Sequence, residues 1–240
     1  KLLWENVSLF NGGHFPFSDI MDSERMITMS MLEVTNVKKT YTSRIGAAKV
    51  EALKKVTFTA EKGEYIAVMG ESGSGKTTLL NILAALDKPT GGTVMLDGTE
   101  LSKVKEKETA KFRRDNLGFV FQEFNLLDTF TVRDNILLPL VLMGMSYPEM
   151  EKKLMPVAEK LVIAQLIDKY PYEISGGQKQ RAAAARAIIT EPKLLLADEP
   201  TGALDSKASD ELLSVFSKLN ADGQTILMVT HSVKAASHAN

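Results

Sequence analysis

The period of the hydrophobic positions changes repeatedly along the chain, and each change predicts an element. Leu32, Val34 and Val37 alternate loosely with Glu33, Thr35 and Asn36, the period-2 pattern of a strand. Short strands are expected over 32–37, around 50–60 and over 65–69, with Gly63 turning the chain between the last two. A helical run over 77–86 follows and stops before Pro89. Gly91-Gly92 and Asp97-Gly98 bracket a strand at 93–96, and the apolar stretch 117–121 reads as another. Residues 130–190 look mostly helical. Within them, 149–166 carries Leu154, Val157, Ala158, Leu161, Val162 and Leu166 at helical spacing, and 176–189 is Ala-rich. The tail returns to a buried-type strand at 193–198, a helix at 208–219 and a strand at 225–230.

Strand, helix and strand alternate at both ends, which predicts an α/β fold with a largely parallel sheet. The helical stretch, about 123–180, reads as an inserted subdomain. Residues 1–30 differ: Trp4, Phe10, Phe15 and Phe17 lie among Asn, Gly and Ser with no period. They read as an unassigned leader or extension. The chain also begins at Lys1 rather than Met.

Charge and composition narrow the function. The 29 basic and 30 acidic residues nearly cancel, whereas binding nucleic acid by counterion release favours a basic excess. The basic run 103–114 is interleaved with Glu106 and Glu108 and reads as a solvated face. With no Cys in the chain, thiol catalysis, disulfides and Cys-based zinc sites are excluded. The longest apolar stretch without charge, 135–148, falls short of the ~18–20 residues a membrane-spanning helix needs.

Three segments carry chemistry. Gly70-Glu71-Ser72-Gly73-Ser74-Gly75-Lys76-Thr77 fits GxxxxGK[ST] between an expected strand and an expected helix. Its glycines let backbone N–H groups wrap phosphates at a helix N-terminus. Lys76 would reach the β- and γ-phosphates, the Thr77 hydroxyl would ligate Mg²⁺, and Thr78 completes the set. The apolar strand at 193–198 ends in Asp198-Glu199. Asp198 suits Mg²⁺, and Glu199, facing the other way, suits a general base for the attacking water. The same pair is also how a plain strand meets solvent; the phosphate loop favours the chemical reading. Ser175-Gly176-Gly177-Gln178 opens a strong helix and makes a second anion-binding turn or a simple cap. Gln122 and His231 each follow an expected strand. Gln122 could touch Mg²⁺ or the water, and His231 the γ-phosphate.

In this order the motifs resemble those of ATP-binding cassette (ABC) ATPases over residues 31–240. They are Walker A at 70–77, the Q-loop Gln122, the signature 174–178, Walker B at 194–199, the D-loop Asp205 and the switch His231. Ile174 stands where the family usually has Leu. The resemblance implies one domain: a P-loop NTPase (RecA-like) core, an antiparallel β subdomain and the helical insertion. It also implies a back end trimmed beyond His231. Two such cassettes would form a head-to-tail homodimer around ATP and Mg²⁺. Ser175, Gly176, Gly177 and Gln178 would act in trans, Asp205 would link the two sites, and Tyr41 would stack on adenine. A separate transmembrane permease would dock near Phe124, Leu126, Leu127 and Phe130, holding the ATPase at the cytoplasmic face of the membrane.

The stretch 118–127 with 131–139, and the run 198–205, are similar to the lipoprotein-release and macrolide-export branch. Within it they look closest to ATPases of bacitracin-type peptide-antibiotic exporters. Lipoprotein release, macrolide export and non-transporting mechanotransmission remain the alternatives. DNA-repair relatives carry a long coiled coil inside the cassette, and the 53 positions between Gln122 and Ser175 leave no room for it.

Overall fold

Four parallel strands end in one row. They are β4 (Tyr65–Gly70), β7 (Leu117–Val120), β8 (Leu194–Asp198) and β9 (Thr225–Thr230), ordered β4-β9-β8-β7. The computed structural model describes residues 7–10, by backbone alone, 30–42 and 49–239. β1 (Val7–Phe10) pairs antiparallel with β4 at the sheet edge. So part of the segment expected to be an unassigned leader is a strand; the rest of it lies outside the described residues.

A second, antiparallel sheet is ordered β3-β2-β5-β6: β2 (Leu32–Thr42), β3 (Lys49–Ala60), β5 (Gly91–Leu96) and β6 (Thr99–Glu100). The helices are α1 (Lys76–Leu83), α2 (Glu106–Asn116), α3 (Val132–Leu142), α4 (Tyr147–Lys160), α5 (Gly176–Ile188), α6 (Ser206–Ala221) and α7 (Val233–Ala236).

Side-chain alternation along the parallel strands divides the core in two. Ile66, Val68, Leu194, Leu196, Leu227 and Val229 face the antiparallel sheet and α1. Tyr65, Ala67, Leu195, Ala197, Ile226 and Met228 face the other helices, including Ile136, Leu154 and Phe216. Strands buried on both faces must be apolar throughout, which is why β8 and β9 read as continuous apolar runs.

One expectation is corrected. The helix expected over 149–166 ends at Lys160, because Val162 takes a left-handed backbone (φ 56°). The apolar spacing beyond it is still used: Leu161, Ile163 and Leu166 are buried, but from a turn and a short 3-10 segment. Most of the basic run, expected to be a solvated face, lies in α2, a helix with no buried residue. It has no apolar stripe, so periodicity gave no sign of it.

Candidate ATP-hydrolysis site

The phosphate loop, Gly70–Lys76, links β4 to α1. Gly75 is left-handed (φ 89°), and a Cβ there would fall 2.3 Å from the Ala52 carbonyl oxygen. Only glycine lets the loop lie this close to β3. Lys76 is buried, and its Nζ donates to the loop carbonyls of Gly70 (2.6 Å) and Glu71 (2.8 Å). The Ser74 hydroxyl is buried without a hydrogen-bond partner. Thr77 and Thr78 occupy the first turn of α1, while Ser72 and Gly73 form the exposed crest of the loop.

β8 delivers two carboxylates beside this loop. Burial, then the neighbouring Glu199 charge, pushes the Asp198 carboxyl above the usual carboxylate range, with Lys76 opposing in part. Glu199 is left-handed (φ 46°), a conformation that costs a non-glycine residue roughly 1–2 kcal/mol. Its N–H donates to Val229 O on β9 at 2.8 Å, which helps hold the turn. The result is a side chain aimed at the end of β9: His231 Nδ1 lies 2.7 Å from Glu199 Oε2. Gln122 approaches from β7. A Cβ on Gly202 would come within 3.0 Å of Gln122 Nε2 and 3.2 Å of Glu199 O. The structure therefore brings Lys76, Asp198, Glu199, His231 and Gln122 to one end of the parallel sheet.

Tyr41 belongs to the antiparallel sheet. It pairs with Val50, two residues from the Ala52 that touches the loop. Its hydroxyl donates to Asp87 Oδ2 at 2.9 Å, and Lys39 Nζ lies 4.9 Å from its ring centroid. Lys39 also pairs with Asp87. Burial alone would raise the Asp87 carboxyl, but hydrogen bonds from Lys39 and Tyr41 hold it below the usual range. This exposed tyrosine is thus fixed in place by two residues that sequence reading did not find. They lie 46 and two positions away from it, so no local pattern joins the three.

The signature turn opens α5. Ser175 caps α5, accepting from the Gln178 N–H, while the Gln178 side chain accepts from the Ser175 N–H at 2.9 Å. Gly177 has a packing reason: a Cβ there would be 2.7 Å from Ala208 Cβ on α6. Asp205 caps α6 through the Ala208 N–H at 2.8 Å. Among the described residues, no hydrogen bond or ion pair joins Ser175, Gly176, Gly177 or Gln178 to the phosphate loop of the same chain.

Of the apolar residues expected at a docking face, Leu126 packs against the core, while Leu127 and Phe130 are exposed. Phe124 and Asn125 are both left-handed. Their carbonyls accept from Arg186 of α5, whose guanidinium is mostly buried and held below its ordinary pKa by that burial. Beside it runs a groove of about 640 Å³ lined by Leu86, Phe119, Phe121, Leu138 and Leu142, with Arg113, Arg114 and Arg186 around it.

Among the described residues no helix is long and apolar enough to cross a membrane. Nor do three His, Asp or Glu side chains cluster as a metal site.

The ABC transporter family profile matches residues 53–202. A bacitracin export ATP-binding protein of Halalkalibacterium halodurans is 51% identical over 213 residues, covering 88% of this chain and 83% of that protein. A macrolide export ATP-binding/permease protein of Campylobacter jejuni is 46% identical over 187 residues, 78% of this chain and 29% of that one. A dimeric ATP-binding cassette structure in a post-hydrolysis state with ADP and Pi superposes with a TM-score of 0.78 at 40% identity, covering 87% of this chain and 91% of that one. A sequence relative of Methanocaldococcus jannaschii is 42% identical over 211 residues. The chain belongs to the ABC transporter family, as an ATP-binding ATPase.

Proposed function

We propose that this ATPase drives a separate transmembrane permease that exports antimicrobial peptides, working from the cytoplasmic face of the membrane. Residues 31–240 form the cassette, with the helical subdomain at about 123–180. The loop residues Gly70, Ser72, Gly73, Ser74, Gly75, Lys76, Thr77 and Thr78 bind the ATP phosphates, and Tyr41 stacks on adenine. The buried, unpartnered Ser74 hydroxyl and the inward-folded Lys76 fit a phosphate ligand. The raised Asp198 carboxyl fits a cation beside it. Thr77, Gln122 and Asp198 would hold Mg²⁺, which when bound neutralises phosphate charge. Glu199 takes the proton of the attacking water, and His231 holds that carboxylate in place.

The signature residues Ser175, Gly176, Gly177 and Gln178 face the nucleotide of a second copy, and Asp205 communicates between the two sites. The lack of any polar contact from the signature turn to its own phosphate loop supports this. The groove beside Phe119 and Phe121 receives a cytoplasmic helix of the permease. Its apolar floor and three arginines suit an amphipathic segment with an acidic residue. The peptide-export assignment rests on the bacitracin-export relative.

One observation carries the reading of the site: the Glu199–His231 contact at the strand ends beside the phosphate loop. Glu199→Gln should keep ATP affinity and lose about 10²–10⁴ in phosphate release, the loss expected for a general base. Phosphate release at the wild-type rate would overturn it.

A further inference from the structure

Gln180, on α5, is fully buried. Its Nε2 donates to two carbonyl oxygens, Phe121 O at 2.8 Å and Pro200 O at 2.7 Å. The reversed amide would set Oε1 against the same two acceptors, so these partners fix its orientation. Phe121 directly precedes Gln122, and Pro200 directly follows Glu199. One side chain therefore ties together the backbone on which both residues are mounted. Its Oε1 is buried with no partner. A buried amide with an unmet acceptor is poor for stability alone.

We infer that Gln180 is a positioning residue for ATP hydrolysis: it sets the spacing of Gln122 and Glu199 by bridging the Phe121 and Pro200 carbonyls. This rests on the proposed roles of those two residues. Gln180 touches neither the phosphate loop nor Tyr41 by any hydrogen bond among the described residues. Its loss should leave nucleotide binding intact and slow the chemical step. A displacement of about 1 Å in a catalytic group can cost ~10²-fold.

The test uses the full chain as wild type, Gln180→Met, Gln180→Asn and Glu199→Gln. Gln180→Met keeps length and removes both donors. Gln180→Asn keeps an amide too short to bridge both carbonyls, and serves if the Met variant does not fold. Phosphate release gives kcat and KM, and nucleotide titration gives affinity. The expected result is a kcat lowered about 10–100-fold with KM and nucleotide affinity within about twofold of wild type. A kcat within twofold of wild type overturns the inference. So does a parallel loss of affinity and kcat, which marks a merely structural role. If Glu199→Gln itself turns over like wild type, the underlying reading of the site fails, whichever way the Gln180 variants behave.

Discussion

At the residue scale, Lys76 and Asp198 are the groups whose surroundings make the sharpest predictions. Lys76 is buried with its ammonium on loop carbonyls that a phosphate would replace. Lys76→Ala should weaken ATP binding by about 10–100-fold, the equivalent of the ~1.5–3 kcal/mol of a hydrogen bond to a charged group. Titration with a fluorescent nucleotide checks this, and unchanged affinity contradicts it. Asp198 carries a different penalty. Its carboxyl is raised in the folded chain, so above the ordinary carboxylate range, about pH 4, the folded state holds a proton that the unfolded state has lost. Stability from this group therefore falls as pH rises through that window. Asp198→Asn removes the buried charge and should melt at a higher temperature than wild type at neutral pH, while its hydrolysis is lost. Melting curves taken from acid to neutral pH test this. A variant that melts below wild type at neutral pH contradicts it.

At the scale of elements, the close approach of α5 and α6 separates two adjacent glycines. A methyl group on Gly177 would press on Ala208, whereas one on Gly176 meets Phe124 and Leu204 at ordinary distances of 3.6 and 3.7 Å. Gly177→Ala should cost roughly 1–3 kcal/mol through overpacking, and Gly176→Ala clearly less. Denaturant midpoints measure the difference, and equal losses would refute it. In the sequence both glycines read as an anion-binding turn or a simple cap, but the packing role of Gly177 needs the position of α6. The same boundary of legibility recurs elsewhere. Strand ends were readable because β8 and β9 are buried on both faces and stop at charged or polar residues. Helix α2 was not, since no side of it is apolar. Gln180 was partly readable. It sits four residues before Ala184, on a helix whose small side chains signal close packing, so its burial could have been foreseen. Its two carbonyl partners could not, because they lie 59 positions before it and 20 after it.

At the scale of the whole molecule, the parallel sheet gathers Lys76, Asp198, Glu199, His231 and Gln122 on one chain, and among the described residues no hydrogen bond or ion pair joins the signature turn to them. We propose that a second copy completes the site. The groove of about 640 Å³ beside Phe119 is the face that we propose receives the permease. Loss of hydrolysis in Glu199→Gln should leave ATP bound and the two copies closed around it. The most direct measurement is the light-scattering mass of Glu199→Gln with and without Mg²⁺ and ATP. The expected mass is 26.3 kDa without nucleotide and twice that with it. A mass of one chain in both conditions, with ATP shown to be bound, would contradict it.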